Sequence, residues 1–168
     1  MVLGVTGHQK LDDEEAWGWV AEEISAALSR SPPPLIGLSS LAVGADQLFA
    51  ALVLAHGGEL RAVLPFAGYA ETFSPGKDLD GYRALLGRAA SVEVLRARSG
   101  WQESYLAAGQ RVVNLSDMVI AVWNGEEAAG LGGTGDIVRY ALEEHKDLLH
   151  VNPVLREVRR LVPRHHES

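Results

Sequence analysis

Cysteine is absent from the 168 residues, which removes disulfides, thiolate metal sites and cysteine nucleophiles together. Long apolar runs are missing as well. None approaches the roughly 18 residues of a membrane-spanning helix, and the opening MVLGVTG is strand-like rather than a basic then apolar export segment. The expectation is a cytoplasmic protein without membrane association. Basic charge is in short supply, with 15 Lys and Arg against 22 Asp and Glu and a net charge of -7 at pH 7. That balance disfavours nucleic acid and anionic membranes as partners, while leaving a local basic pocket open. No Gly-Lys-Ser or Gly-Lys-Thr occurs, which argues against a Walker-type loop. His145 and His150 lack companions at metal spacing, and His165 and His166 occupy the terminal tail, so no metal site is expected.

What the chain does contain is enough apolar material to fold, 47% hydrophobic residues against 22% charged. Its length suits one domain over residues 1–162, with 163–168 as a frayed tail. Strand-like and helix-like segments alternate throughout. Val2 to Thr6 reads as a buried strand, and Leu11-Asp12-Asp13-Glu14-Glu15 offers helix-start chemistry before Trp17, Val20, Ile24 and Leu28 at helical spacing. Of Trp17 and Trp19, one is expected in the core and the other partly exposed. Ser31-Pro32-Pro33-Pro34 ends that helix. Strands follow at Leu35–Leu38, Leu60–Leu64, Val92–Leu95, Asp117–Trp123 and Leu148–Val151, and helices at Val43–His56, Asp78–Ala90, Trp101–Leu115 and Asp136–His145. Val154 to Val162 reads as a terminal helix, with Arg156, Arg159, Arg160 and Arg164 as a basic face.

The apolar run Met118 to Val122 is what a strand covered on both faces requires, so it belongs at the sheet centre. Alternation of this kind gives an α/β class fold, a three-layer α/β/α Rossmann-like open sheet, mostly parallel and of about six strands. Ligands of such sheets sit beyond the carboxyl ends of the strands. Here those ends are Thr6-Gly7-His8-Gln9, Ser39-Ser40, Pro65-Phe66 and Trp123-Asn124.

The sharpest motif is Gly130-Leu131-Gly132-Gly133-Thr134-Gly135-Asp136, between the central strand and a helix. Free amides at a helix start donate to phosphate oxygens, and glycine lets a ligand approach the backbone closely; a tight turn without a ligand explains the same residues. Gly130, Gly132 and Gly135 satisfy the dinucleotide fingerprint spacing. That loop normally follows the first strand, however, and is answered by an acidic residue about 20 positions later. Here His150, Val151 and Asn152 offer none.

A second loop, Ser39-Ser40-Leu41-Ala42-Val43-Gly44-Ala45-Asp46, supplies two hydroxyls and small residues at a helix start, where Asp46 either holds ribose hydroxyls or caps the helix. In the first loop His8 is either a ligand contact or a hydrogen-bonded turn residue. Tyr69, Phe73 and Tyr82 either stack a base, with Arg83 approaching a phosphate, or pack the loop down. Glu103 either reaches the crevice or answers its helix dipole. Glu126-Glu127 and Glu143-Glu144 read as solvated surface.

Taken together, Val5-Thr6-Gly7-His8-Gln9, Ser39 through Asp46, Asn114 through Asn124 and Gly132-Gly133-Thr134-Gly135-Asp136 resemble the SLOG superfamily of Rossmann-like proteins over about residues 2 to 151. The resemblance is to its YpsA-related branch and, more distantly, to DprA proteins and the LOG, or lysine-decarboxylase-like, enzymes. It implies a nucleotide-derived ligand between the first two strand-end loops and the glycine loop, with Gly7, Ser39, Gly44, Asp46, Gly132, Gly133 and Thr134 as contacts. His8, Ser40, Tyr82, Arg83 and Gly135 complete the candidate ligand-binding set. LOG enzymes carry Pro-Gly-Gly-x-Gly-Thr-x-x-Glu in this loop and release a base from a nucleoside monophosphate. Arg139 stands here where that pattern has its glutamate.

Nucleotide binding or sensing is therefore the leading expectation, with no cofactor required beyond the bound nucleotide-like ligand itself. Glycosidic hydrolysis, with Asp46 or Glu103 as catalytic carboxylates, and a structural or protein-interaction domain are the alternatives. Homo-oligomerisation is left open by the sequence.

Overall fold

A computed structural model describes residues 1–127 and 131–163. The tail expectation for 163–168 therefore falls outside the described residues except at Pro163, as do Arg164, His165 and His166. The chain forms β1 (Val2–Gly7), α1 (Ala16–Arg30), β2 (Ile36–Ser39), α2 (Ala45–Ala55) and β3 (Glu59–Leu64). After a 3-10 turn over Tyr69–Thr72 come α3 (Lys77–Arg88), β4 (Ser91–Val94), α4 (Trp101–Leu115) and β5 (Met118–Val122). The described chain closes with α5 (Thr134–Glu143), β6 (Asp147–Asn152) and β7 (Glu157–Leu161).

The strands make one seven-stranded sheet in the order β4-β3-β2-β1-β5-β6-β7. All neighbours are parallel except β6 and β7. The run in β5 is divided by the pleat as a doubly covered strand demands. Ile120 and Val122 face a cluster with Val20 and Ile24 of α1 and Phe49 and Val53 of α2. Val119 and Ala121 face Val113 of α4 and Ile137, Val138 and Ala141 of α5. Ile120 is fully buried, which contributes about 1.5–3 kcal/mol. A third cluster sets Leu60, Ala62 and Leu64 of β3 against Tyr69 and Tyr82. Trp17 and Trp19 are both partly buried against the α1 side of the core, so neither is the fully buried one of the pair.

The terminal segment corrects the expected helix: it is an antiparallel edge strand, which raises the strand count from about six to seven. Asn152 Oδ1 accepts the backbone N–H groups of Val154 and Leu155, and Arg156 takes φ 50°, so the chain turns back on β6. Val154, Val158 and Leu161 fit helical spacing, yet the segment pairs antiparallel with β6, with Val158 opposite Val151 and Leu161 opposite Leu148. The open hydrogen bonds of the β6 edge select the strand. The basic helix face is accordingly dispersed: Arg159 meets Glu157, Arg160 meets Asp147 and Arg156 meets Asp13.

Strand order reverses between β1 and β5, because the crossover from β4 through α4 re-enters the sheet beside β1. At such a switch point the loops above the two strands diverge to opposite faces and leave a crevice.

Candidate functional site

The crevice is a cleft of about 430 Å³, within the usual range for small-ligand sites. One wall is the end of β1. Gly7 stands where a Cβ would lie 2.6 Å from that of Ala45 and 2.9 Å from Val122, so glycine there lets the start of α2 close onto the strand ends. His8 follows, its N–H bonded to the Val122 carbonyl and its own carbonyl accepting from Ala45 N–H. The His8 side chain turns toward β5, and Nε2 accepts the backbone N–H of Asn124 at 3.0 Å. An accepting Nε2 is the unprotonated nitrogen, which leaves the imidazole neutral with its proton on Nδ1. Burial lowers the His8 pKa, with the Asn124 side chain and the Glu126 charge pulling the other way.

The second wall is the loop from β2 to α2. Ser39, fully buried, accepts Leu41 N–H at 3.1 Å and donates to the Asp46 carbonyl at 3.0 Å. Those two bonds hold Leu41 at φ 59°, a left-handed conformation that an L side chain adopts only under constraint. Gly44 has φ 90°, and a Cβ there would lie 2.5–2.6 Å from backbone atoms of His8 and Gln9. Only glycine lets the two loops touch. The result is that Ser40, Ala42 and the Asp46 side chain line the cleft. Desolvation raises the Asp46 pKa to about 7, opposed by a hydrogen bond from the Ala42 backbone.

The third wall is the glycine loop and the start of α5. Asp136, in the first helical turn, accepts Gly132 N–H at 3.0 Å through Oδ2 and Arg139 at 3.1 Å through Oδ1, so the helix closes its own preceding loop. Gly132 has φ 86°, and a Cβ would meet the Gln102 carbonyl oxygen at 3.0 Å; the loop rides directly on α4. Gly133, Thr134 and Gly135 line the cleft, and no acceptor among the described residues takes their N–H groups. These are the unpaired donors that every helix start carries, with the positive end of the dipole behind them. Opposite stand Tyr105, Ala108 and Gly109 of α4. Among the described residues the acidic side chains in the lining are Asp46, Glu126 and Glu127, and no Lys or Arg is there.

The structure therefore brings together Gly7, His8, Ser40, Asp46, Gly132, Gly133, Thr134 and Gly135. It does not bring Ser39 or Gly44 into the lining, since both are consumed in shaping the loop behind it. Tyr82 is buried in the core, stacked on Phe73 at 4.4 Å and edge-on to Tyr69 at 5.5 Å, and so cannot reach a base. Arg83, next on α3, is exposed away from the cleft. Glu103 is exposed beside Gly100 at the start of α4 and outside the lining, as its dipole alternative expects. Gly130, the first glycine of the fingerprint spacing, lies outside the described residues. Arg139, at the position of the LOG glutamate, is solvent-exposed and also outside the lining.

Sequence reasoning missed Asn124 as the partner of His8, Asp136 as the clasp of the glycine loop, and Tyr105 with Gly109 as the far wall. An acidic residue in the first turn behind a glycine loop is a signal for the clasp. The glycine inside α4 is a signal for the wall, since a Cβ at Gly109 would clash with Ile137. Among the described residues no cluster of metal-ligating side chains occurs, and no helix is long and apolar enough to cross a membrane.

No family model and no curated protein matches this sequence. Solved structures do match its fold. DNA processing protein A (DprA) from Streptococcus pneumoniae aligns with a TM-score of 0.60 at 19% identity, over 88% of this chain and 49% of that one. DprA from Helicobacter pylori, a structure described for its single-stranded DNA binding mode, aligns with a TM-score of 0.65 at 15% identity, over 89% of this chain and 64% of that one. TM1055 aligns with a TM-score of 0.56 at 14% identity, over 88% and 71%. This chain thus spans about half to two-thirds of the length of the DprA structures it matches. The likeness to DprA read from the loops is matched by a shared fold.

Proposed function

We propose that the cleft at the β1/β5 switch point binds a nucleotide or nucleotide-derived small ligand, as a binding or sensing domain does. The observation that supports this most is the convergence of three recognition elements on one cleft of about 430 Å³: unpaired amides at the start of α5, a neutral His8, and Asp46 beside Ser40. A phosphate suits the amides of Gly133, Thr134 and Gly135. Sugar hydroxyls suit Asp46 and Ser40, because a carboxyl and a hydroxyl together accept and donate. The acidic Asp46, Glu126 and Glu127, with no Lys or Arg among the described lining residues, disfavour a polyanion such as DNA, although the DprA fold is shared. A cytoplasmic setting, with its nucleotide pool, belongs to the same proposal.

Isothermal titration with adenine and guanine mono- and dinucleotides tests the reading. Saturable binding that Thr134→Glu abolishes by placing a carboxylate at the helix start supports it. No binding across the panel counts against it, and tighter binding of single-stranded oligonucleotides than of nucleotides replaces it.

Asp46 favours a second reading. A cleft-lining carboxyl with a pKa near 7 is suited to proton transfer at neutral pH, which is what departure of a base from a nucleotide needs. Free-base release, followed by chromatography and lost in Asp46→Asn, separates this reading from binding alone.

A further inference from the structure

α4 leaves the cleft on an aromatic pair. Ala108 and Tyr105 line the cleft, and Trp101 lies one turn nearer the helix start on the same stripe, because residues three and four apart share a helix face. The two rings meet edge-on at 5.6 Å. Tyr105 is fixed from behind by Phe66 at 5.9 Å and Tyr69 at 6.2 Å. Trp101, by contrast, is 63% exposed. Leu131, also exposed, immediately precedes the glycine that packs on this turn of α4.

We infer that Trp101, braced edge-on by Tyr105, offers its exposed face as a stacking shelf for a planar aromatic ring, the base end of the ligand. The inference rests on the proposed function and names the group recognised at the rim of the same cleft, where Trp101 stands just outside the lining, one turn along α4 from Tyr105. The two elements differ in chemistry: backbone amides at the start of α5 suit an anion, and the shelf suits an apolar, polarisable plane. A rigid inner ring and an accessible outer ring let a base settle without reordering the core. Because every base has a π-face, stacking here is tolerant of base identity and favours the larger purine face.

Titration of AMP and of ribose 5-phosphate against the wild type, Trp101→Ala and Trp101→Phe tests the shelf. The exposure of Trp101 makes both variants compatible with folding. AMP should bind the wild type more tightly than ribose 5-phosphate, and Trp101→Ala should weaken AMP by on the order of tenfold. The same change should leave ribose 5-phosphate within about twofold, and Trp101→Phe should restore most of the AMP affinity. Unchanged AMP binding in Trp101→Ala, or equal weakening of both probes, overturns the shelf while the proposed function stands. Equal wild-type affinity for the two probes does the same. Failure of the wild type to bind either probe overturns the shelf, and the wider nucleotide panel then decides the proposed function.

Discussion

His8 and Asn124, 116 residues apart, are joined by a 3.0 Å hydrogen bond from the Asn124 backbone N–H to the imidazole Nε2. The bond ties the end of β1 to the end of β5 across the switch point and requires a neutral ring. Burial lowers the His8 pKa from 6.5, so the unfolded chain takes up a proton at a pH where the folded one does not. Stability from this group is present above about 6.5 and is lost as pH falls through the folded pKa. Denaturant midpoints measured from pH 8 to pH 5 should therefore fall more steeply in the wild type than in His8→Gln. Parallel profiles contradict the assignment of a neutral, accepting ring.

Asp46 titrates in the opposite sense. Its pKa rises from 3.8 to about 7, so the folded state keeps a proton that the unfolded chain releases. Stability from this group is full below 3.8 and declines as pH rises toward 7. Asp46→Asn keeps an acceptor for the Ala42 backbone and removes the buried charge. It should raise stability at pH 8, by at most about 4 kcal/mol, and flatten the pH dependence between 4 and 7. A lower midpoint at pH 8 in Asp46→Asn contradicts this.

Two glycines with positive φ should respond differently to alanine. At Gly44 a Cβ collides with the backbone of His8 and Gln9, whereas at Gly57, with φ 75°, it meets nothing within 4 Å. Gly57→Ala should cost about 1 kcal/mol, the left-handed penalty alone. Gly44→Ala should cost on the order of 3 kcal/mol or more, because neither backbone can yield. Comparable costs in chemical denaturation contradict a close approach of the two loops.

The clasp from Asp136 to Gly132 N–H sets the shape of the phosphate end. Asp136→Ala should lower stability by about 1 kcal/mol and weaken nucleotide binding, while Asp136→Asn, which keeps an acceptor oxygen, should retain most of both. Arg139→Ala, which removes only an exposed partner, should change stability by less than about 0.5 kcal/mol. Equal losses in all three variants contradict the clasp.

The architecture was legible because each central strand is a short apolar run and each crossover an amphipathic segment with a stop, as in Met118 to Val122 and the Pro32-Pro33-Pro34 break. β7 was not legible, because the apolar residues of Val154 to Val162 follow helical spacing and only the open edge of β6, a tertiary partner, draws the segment into a strand. Most of the cleft was readable from loops at strand ends. For Tyr82 the packing alternative holds in place of stacking a base: sequence gives the neighbours of a loop but not which face of the following helix turns inward, and that face is fixed by Phe73 and Tyr69. Ser39 and Gly44 look like ligand contacts for the same reasons that suit them to shaping a tight loop: a small hydroxyl and a residue without Cβ. Asn124 was named only as a strand end, since its bond to His8 is made through the backbone and leaves no mark on residue choice.

Backbone amide chemical-shift mapping of the isotope-labelled protein during titration with AMP tests the central claim most directly. The account predicts saturable shifts that cluster at Gly133, Thr134 and Gly135, with His8 and Asp46 following, and little change at the distant β4 edge. An absence of shifts at millimolar AMP, or shifts confined to residues outside the β1/β5 cleft, would contradict it.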